Sequence, residues 1–314
     1  MQSLDQEPPP VALFDERSAE YTAAFQTLVR CDPDGSREAL RVLQAVVGAR
    51  SSSTRCVDWG AGTGRLTREL CRRFDVVYAV EPSAPMRERL EENAPGAHRI
   101  AGTLTDVTLP ERCGIAVLSH VLYHVPDHLW GPTVVRLARQ LTGDGVLLVA
   151  MKHPDTGCNA MLEAFGAERF DLYRIAKTLR HHPELTLEMR SAPGRLVTSS
   201  LEETMQIARF MLCDRTPAAF SRLPTEREFA AYVREVFWDE QRGRGAGTWS
   251  RCSRWYGSIR GGRTGKRHDA HAGLARCLTG PGRTRREYPF DSARRAFECG
   301  GRGPSARDPD VHVE

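Results

Sequence analysis

The chain has 314 residues, enough for one large or two small domains. Its formal charge of +4 hides an asymmetry: Arg242 to Glu314 hold 16 Lys and Arg against 7 Asp and Glu, and the remainder holds 28 against 33. That mildly acidic body disfavours a nucleic-acid backbone as substrate, and no run reaches the roughly 18 apolar residues of a membrane span.

Met1 to Pro10 is polar and ends in three prolines, which is no secretory pattern, and residues 1–15 are expected to form a flexible N-terminus. Cys56 and Val57 belong to an apolar strand that runs into Asp58-Trp59-Gly60-Ala61-Gly62-Thr63-Gly64. Arg65 to Phe74 follow as a helix, with Leu66 and Leu70 on one stripe. The glycines allow a sharp turn with no Cβ in a ligand's way, and the helix N-terminus adds free N–H groups. Asp75 to Val80 read as a buried parallel strand, with Glu81 at its carboxyl end. An acid there can take both hydroxyls of a ribose. His98 to Ala101 give a third strand, followed by Gly102 to Asp106. Ile115 to Ser119 give a fourth, opening on His120-Val121-Leu122-Tyr123-His124. Asp127 to Leu141 are amphipathic, with Leu129, Val134, Leu137 and Leu141 as the buried side. A turn at Gly143-Asp144-Gly145 leads into a fifth strand, Val146 to Ala150. The alternation predicts an α/β fold: a doubly wound, Rossmann-like, mainly parallel sheet.

Beyond it, Pro154 to Arg180 read as helices, and Leu185 to Met189 and Arg195 to Thr198 as strand pieces around Pro193-Gly194. Ser200 and Thr225 are positioned to cap two further helices, the second running from Glu226 to Trp238. These insertions are expected to cover the cleft as a helical lid and shape a pocket for a small molecule.

The turn has the spacing G-x-G-x-G, with Asp58 two residues before the first glycine, whereas the dinucleotide fingerprint is G-x-G-x-x-G. An acid so close suits a cationic or amino-bearing ligand better than a pyrophosphate. The run VDWGAGTGRLT at 57–67 resembles motif I of the class I S-adenosylmethionine-dependent methyltransferases. The resemblance implies that Gly60, Ala61, Gly62 and Gly64 line the cofactor, that Asp58 supports its methionine end, and that Glu81 holds the ribose. Met86, Asp106 and Ser119 complete the implied cofactor contacts, with Asp106 near the adenine; its alternative role is a turn cap.

Four further segments, ALFDERSAEYTAAF at 12–25, VEPSAPM at 80–86, SHVLYHVPD at 119–127 and GCNAMLEAFGAERF at 157–170, resemble the histamine N-methyltransferase-like branch over about residues 11–240. The departures argue against histamine itself. Ala23 stands where that branch has an acid for the substrate amine, and Cys158 and Leu162 stand where it has tryptophans. His120 replaces a polar amide contact. It is a candidate catalytic residue, able to hydrogen-bond substrate or take its proton, or else a wall residue with a structural bond. Tyr123 is the second candidate, as a ring facing the sulfonium or as a core aromatic. No metal site is expected: His181-His182 and His268/His271 lack supporting ligands, and the nine cysteines form no C-x-x-C pair.

The implied domain covers 16–240, with a cofactor half at about 50–151 and a lid half at about 16–49 and 152–240. The implied activity is methyl transfer from S-adenosylmethionine to a nitrogen or oxygen of a small molecule, in the cytoplasm, with no membrane or nucleic-acid partner. Its rivals are a catalytically decayed binding protein, a nicotinamide-dependent oxidoreductase and, last, RNA methylation. Enzymes of this kind end on an antiparallel hydrophobic strand, and none is legible after Arg242: only seven of those 73 residues are Ile, Leu, Val or Phe. Residues 241–314 are therefore expected to be a disordered Arg/Gly-rich tail, or the product of a frameshift near Gly243 in a GC-rich gene, given 41 Arg and 3 Lys.

Overall fold

Seven strands are described, the central ones from near-continuous apolar runs that are covered on both faces. They are β1 (Arg55–Trp59), β2 (Val76–Val80), β3 (His98–Ile100), β4 (Cys113–Ser119), β5 (Leu141–Lys152), β6 (Leu185–Ala192) and β7 (Arg254–Gly261). They form one sheet in the order β3-β2-β1-β4-β5-β7-β6. β1 to β5 are parallel, and β7 is antiparallel to both β5 and β6. This computed structural model describes residues 9–16, 18–32, 55–171, 173–192, 194, 196–240 and 254–261, with isolated positions between 37 and 45. All of them fall in one compact unit, residues 1–270.

Period-two alternation sorts the core. Val57, Trp59, Ala116, Leu118, Leu147 and Val149 face one hydrophobic cluster, while Cys56, Ile115, Val117, Leu148 and Ala150 face another. The helices are α1 (Ala19–Cys31), α2 (Arg65–Cys71), α3 (Ala84–Asn93), α4 (Trp130–Ala138), α5 (Gly157–Ala164), α6 (Tyr173–Leu179), α7 (Leu201–Leu212) and α8 (Glu226–Phe237). Leu70 of α2 covers one face, and Trp130, Val134 and Leu137 of α4 cover the other. The chain leaves β1 toward β2 and β3, then returns to lay β4 on the other side of β1. That reversal opens a crevice at the carboxyl ends of β1 and β4.

The two sequence-marked caps form. Ser200 Oγ accepts from Glu203 N at 3.1 Å, and Thr225 makes a reciprocal capping box with Glu228. Other expectations need correction. The amphipathic stretch from Asp127 begins as a 3-10 turn, the helix spans only Trp130–Ala138, and Leu129 is exposed. Leu141 already belongs to β5, where Gly143 to Gly145 form an irregularity and Cys113↔Leu141 is followed by Ile115↔Val146. Leu196 and Val197 are not in a strand; instead Val197 N donates to Cys31 O at 2.9 Å.

The largest correction concerns the C-terminal segment. An antiparallel strand is present after Arg242: β7 pairs Val146↔Arg260 through Lys152↔Arg254 on one side and Leu185↔Gly261 through Ala192↔Arg254 on the other. Pairing on both edges sets the conformation of this segment, and its Ile259 is buried. A frameshift near Gly243 is therefore not needed to explain a missing strand. The disorder expected for 241–253 and 262–314 lies outside the described residues.

Candidate active site

β1 ends in a turn tied to its neighbour: Gly60 N and Ala61 N donate to Val80 O at 2.8 and 3.0 Å. Gly60 and Gly62 have φ of +72° and +55°, the left-handed region that glycine enters at little cost. Their surroundings differ. A Cβ on Gly60 would lie 2.4 Å from Val121 Cγ2, so the turn sits directly under the end of β4. A Cβ on Gly62 would meet nothing within 4 Å, leaving open space above the backbone. Gly64 caps α2, and a Cβ there would strike Leu90 Cδ1 at 2.6 Å; this glycine serves helix packing and does not line the cavity.

Two buried carboxylates flank the turn. Asp58 Oδ2 accepts from Thr67 Oγ1 at 2.7 Å. Burial raises its pKa to about 6, with the Thr67 bond opposing and the Glu81 charge adding. Glu81 accepts backbone N–H bonds from Gly62 on Oε2 and from Ser83 on Oε1, each at 2.9 Å. Burial also lifts its pKa, against those two amides. The Glu81 loop is fastened by Arg87 Nη1, which donates to Glu81 O at 2.9 Å and Pro82 O at 2.6 Å.

These groups share a cavity of about 700 Å³. Asp58, Gly60, Ala61, Gly62, Glu81, Met86, Ser119 and His120 all line it. Asp106 and Tyr123, like Gly64, do not. Asp106 Oδ1 instead accepts from Thr103 N at 2.6 Å, shaping the loop whose residues Gly102 to Thr105 do line the cavity. Tyr123 is buried behind His120, its ring 4.5 Å from that of Phe170.

His120 is the one non-glycine residue with positive φ (+59°) among those described. Its N donates to Ala150 O at 2.8 Å, fixing this conformation at the end of β4. Such a backbone costs about 1–3 kcal/mol and is typical of functional sites. His124 also lines the cavity and pairs through Nδ1 with Glu16 Oε1 at 3.1 Å. Burial pulls its pKa down, but Glu16, Asp214 and Glu81 carry it net upward.

The opposite wall was not read from the sequence. Tyr21 and Phe25 of α1 and Phe210 of α7 form an aromatic group, with ring centroids 4.9 Å apart for Tyr21–Phe210 and 6.0 Å for Phe25–Phe210. Beside it lies a buried ion pair, Lys152 at the end of β5 with Asp214 after α7. Burial alone would push the ammonium down; the adjacent Asp214 more than offsets this and holds Lys152 well above its ordinary pKa. Lys152 Nζ also donates to Cys158 Sγ at 3.4 Å. Ala23 is exposed and off the cavity, and the cavity face of α1 is Tyr21, Phe25, Leu28 and Val29. Cys158 and Leu162 are fully buried and do not line the cavity. The signal for the missed pair was faint: one of only three lysines ends an apolar strand, and an acid closes an apolar helix. Among the described residues no cluster of three or more metal-ligating side chains occurs, and no helix is long and apolar enough to cross a membrane.

Residues 57–149 match a family model described as a methyltransferase domain. An uncharacterized methyltransferase of Exiguobacterium sibiricum is 30% identical over 140 residues, covering 44% of this chain and 64% of that protein. The uncharacterized methyltransferase YrrT of Bacillus subtilis is 29% identical over 119 residues, covering 37% and 55%. The chain thus spans less than two thirds of the length of these relatives. The solved structure of the YcgJ protein from Bacillus subtilis shares the fold with a TM-score of 0.50 at 16% identity, over 73% of this chain and all of that one. The segment that carries the glycine turn thus matches a methyltransferase domain, a class whose cofactor is S-adenosylmethionine. Open space above Gly62 beside the amide-bound Glu81 carboxylate fits that cofactor.

Proposed function

We propose that the chain transfers a methyl group from S-adenosylmethionine to a nitrogen or oxygen of a small molecule. The observation that carries this is the shared cavity. One wall is the glycine turn with Asp58 and Glu81, and the other is an aromatic and charged surface from α1, α7 and the end of β5. Its volume of about 700 Å³ is that of a small-molecule site.

When bound, S-adenosylmethionine supplies an electrophilic methyl group on a sulfonium. In the proposed arrangement Glu81 receives the ribose hydroxyls while keeping its two backbone donors. Asp58 stands under the methionine end, and Gly102 to Thr105 border the adenine. Tyr21, Phe25 and Phe210 exclude water from the acceptor and orient it, since proximity and alignment dominate such a displacement. Tyr21 and the Lys152–Asp214 pair give the acceptor half its polar edge. The reading keeps the histamine N-methyltransferase-like branch, but Ala23 is exposed and Cys158 and Leu162 lie off the cavity, so those departures do not select the acceptor. The six described cysteines are free thiols, which supports a reducing, cytoplasmic setting.

Calorimetric titration with S-adenosylhomocysteine and, in parallel, NADH tests the cofactor: binding of the first and not the second is expected, and the reverse refutes it. Screening acceptors with methyl-labelled cofactor then identifies the substrate.

A further inference from the structure

The buried ion pair in the cavity wall keeps one unused hydrogen-bonding site on each partner. The ammonium of Lys152 has three hydrogens. One goes to Asp214 Oδ2 and one to Cys158 Sγ at 3.4 Å, with the charge 5.0 Å from the centroid of the Tyr123 ring. The third has no acceptor among the described residues. Asp214 Oδ1 receives no donor among them, the Tyr21 hydroxyl has no partner there, and neither atom is sealed inside protein. Lys152, Asp214 and Tyr21 all line the cavity, beside Phe25, Phe210 and Met211. The pair is withdrawn from solvent, with side chains 14% and 5% exposed for Lys152 and Asp214. Burial, then Asp214 and Glu16, push the Tyr21 phenol far above its ordinary pKa, with Lys152 opposing, so it keeps its hydrogen.

We propose that Lys152, Asp214 and Tyr21 select the methyl acceptor, taking an uncharged group that both donates and accepts hydrogen bonds, a hydroxyl or a carboxamide, on an aromatic body. The unused sites of Lys152 and Asp214 lie side by side, because the two side chains touch. A hydroxyl or carboxamide gives its hydrogen to Asp214 Oδ1 and its lone pairs to Lys152 Nζ and the Tyr21 hydroxyl. A carboxylate has no hydrogen to give and repels Asp214. An ammonium has no lone pair and repels Lys152. A zwitterion serves both sites, yet it takes two full charges out of water against a pair that has already neutralised itself. The aromatic body follows from the rings of Tyr21, Phe25 and Phe210 on the same wall. That this molecule accepts a methyl group rests on the reading above; the preference for an uncharged group does not.

The test is a ligand-observed NMR titration of the full chain with probes that share one ring: benzyl alcohol, benzamide, benzoate and benzylammonium, with phenylalanine as the zwitterion. The alcohol or the amide should bind at least about tenfold tighter than each charged probe, the difference that one hydrogen bond to a charged group makes. Equal affinities, tighter binding of a charged probe, or no binding of the uncharged pair overturns the proposal. In Lys152→Met with Asp214→Leu the alcohol and the amide should bind at least about tenfold more weakly, and unchanged affinity overturns it too. Tyr21→Phe leaves the ion pair in place and should weaken them by roughly two- to tenfold. Unchanged binding there overturns the proposal even if the double variant does not fold. Because no probe needs the cofactor, failure here is distinct from failure of the S-adenosylhomocysteine titration, which addresses methyl transfer.

Discussion

Replacing Asp58 with asparagine should make the protein more stable and less able to hold its cofactor, with a pH signature that identifies the cause. In the folded chain this carboxyl titrates at about 6, against 3.8 for an unperturbed aspartate. Between those values the folded chain keeps a proton that the unfolded chain has released. Stability therefore falls as pH rises through this interval and is level above it. At about 1.4 kcal/mol per pH unit, the gap amounts to about 3 kcal/mol. The amide of the Asp58→Asn variant has no such titration. Thr67 can still donate to the amide oxygen, and any cost of the new NH2 group is an offset without slope. Urea unfolding of both proteins, from about pH 4 to about pH 7, should show the variant gaining about 3 kcal/mol on the parent as pH rises. A difference that is level, or that shrinks with pH, refutes the assignment of the burial penalty to Asp58.

The two glycines of the turn should separate packing from binding. Gly60→Ala carries both the left-handed penalty of about 1–2 kcal/mol and a collision with Val121, so thermal unfolding should show a large loss. Gly62→Ala carries the penalty alone, yet its methyl fills the cradle; S-adenosylhomocysteine affinity should collapse with a loss of only about 1–2 kcal/mol in stability. Lys152→Met strands Asp214 and should cost about 3–5 kcal/mol in chemical unfolding, most of it recovered in Lys152→Met with Asp214→Leu. A double variant no better than the single one contradicts that reading. Glu81→Gln should weaken S-adenosylhomocysteine binding by about 1–1.5 kcal/mol, or roughly 5–13-fold by calorimetry, because a hydrogen bond to a charged acceptor is replaced by a neutral one.

What the sequence disclosed is what local spacing encodes. The glycine turn, Asp58 and Glu81 lie within 24 residues of one another, inside a strand–helix–strand unit whose pattern dictates where they meet. Ser200 and Thr225 were readable for the same reason, since a cap acts on amides two or three positions away. The acceptor wall is assembled differently. Glu16, Tyr21, Lys152, Phe210 and Asp214 come from distant elements, and no periodicity links them. Tyr123 was identified as important but not placed, because its position behind His120 depends on the Lys152 amide of a neighbouring strand. β7 was missed because hydrophobicity was asked to reveal it; a strand paired along both edges draws its order from backbone partners.

That strand has a consequence for how the chain is made. β7 alone links β6 to the sheet among the described residues, and it follows the end of β5 by about a hundred residues. At ribosomal speeds of about 5–20 residues per second, the finished edge of β5 waits some 5–20 s for its partner. Through that interval the nascent protein presents an open row of amides and carbonyls, the usual template for misassociation. A product cut short before Arg254 never closes it, leaving β5 bare on one side and β6 with no strand to join.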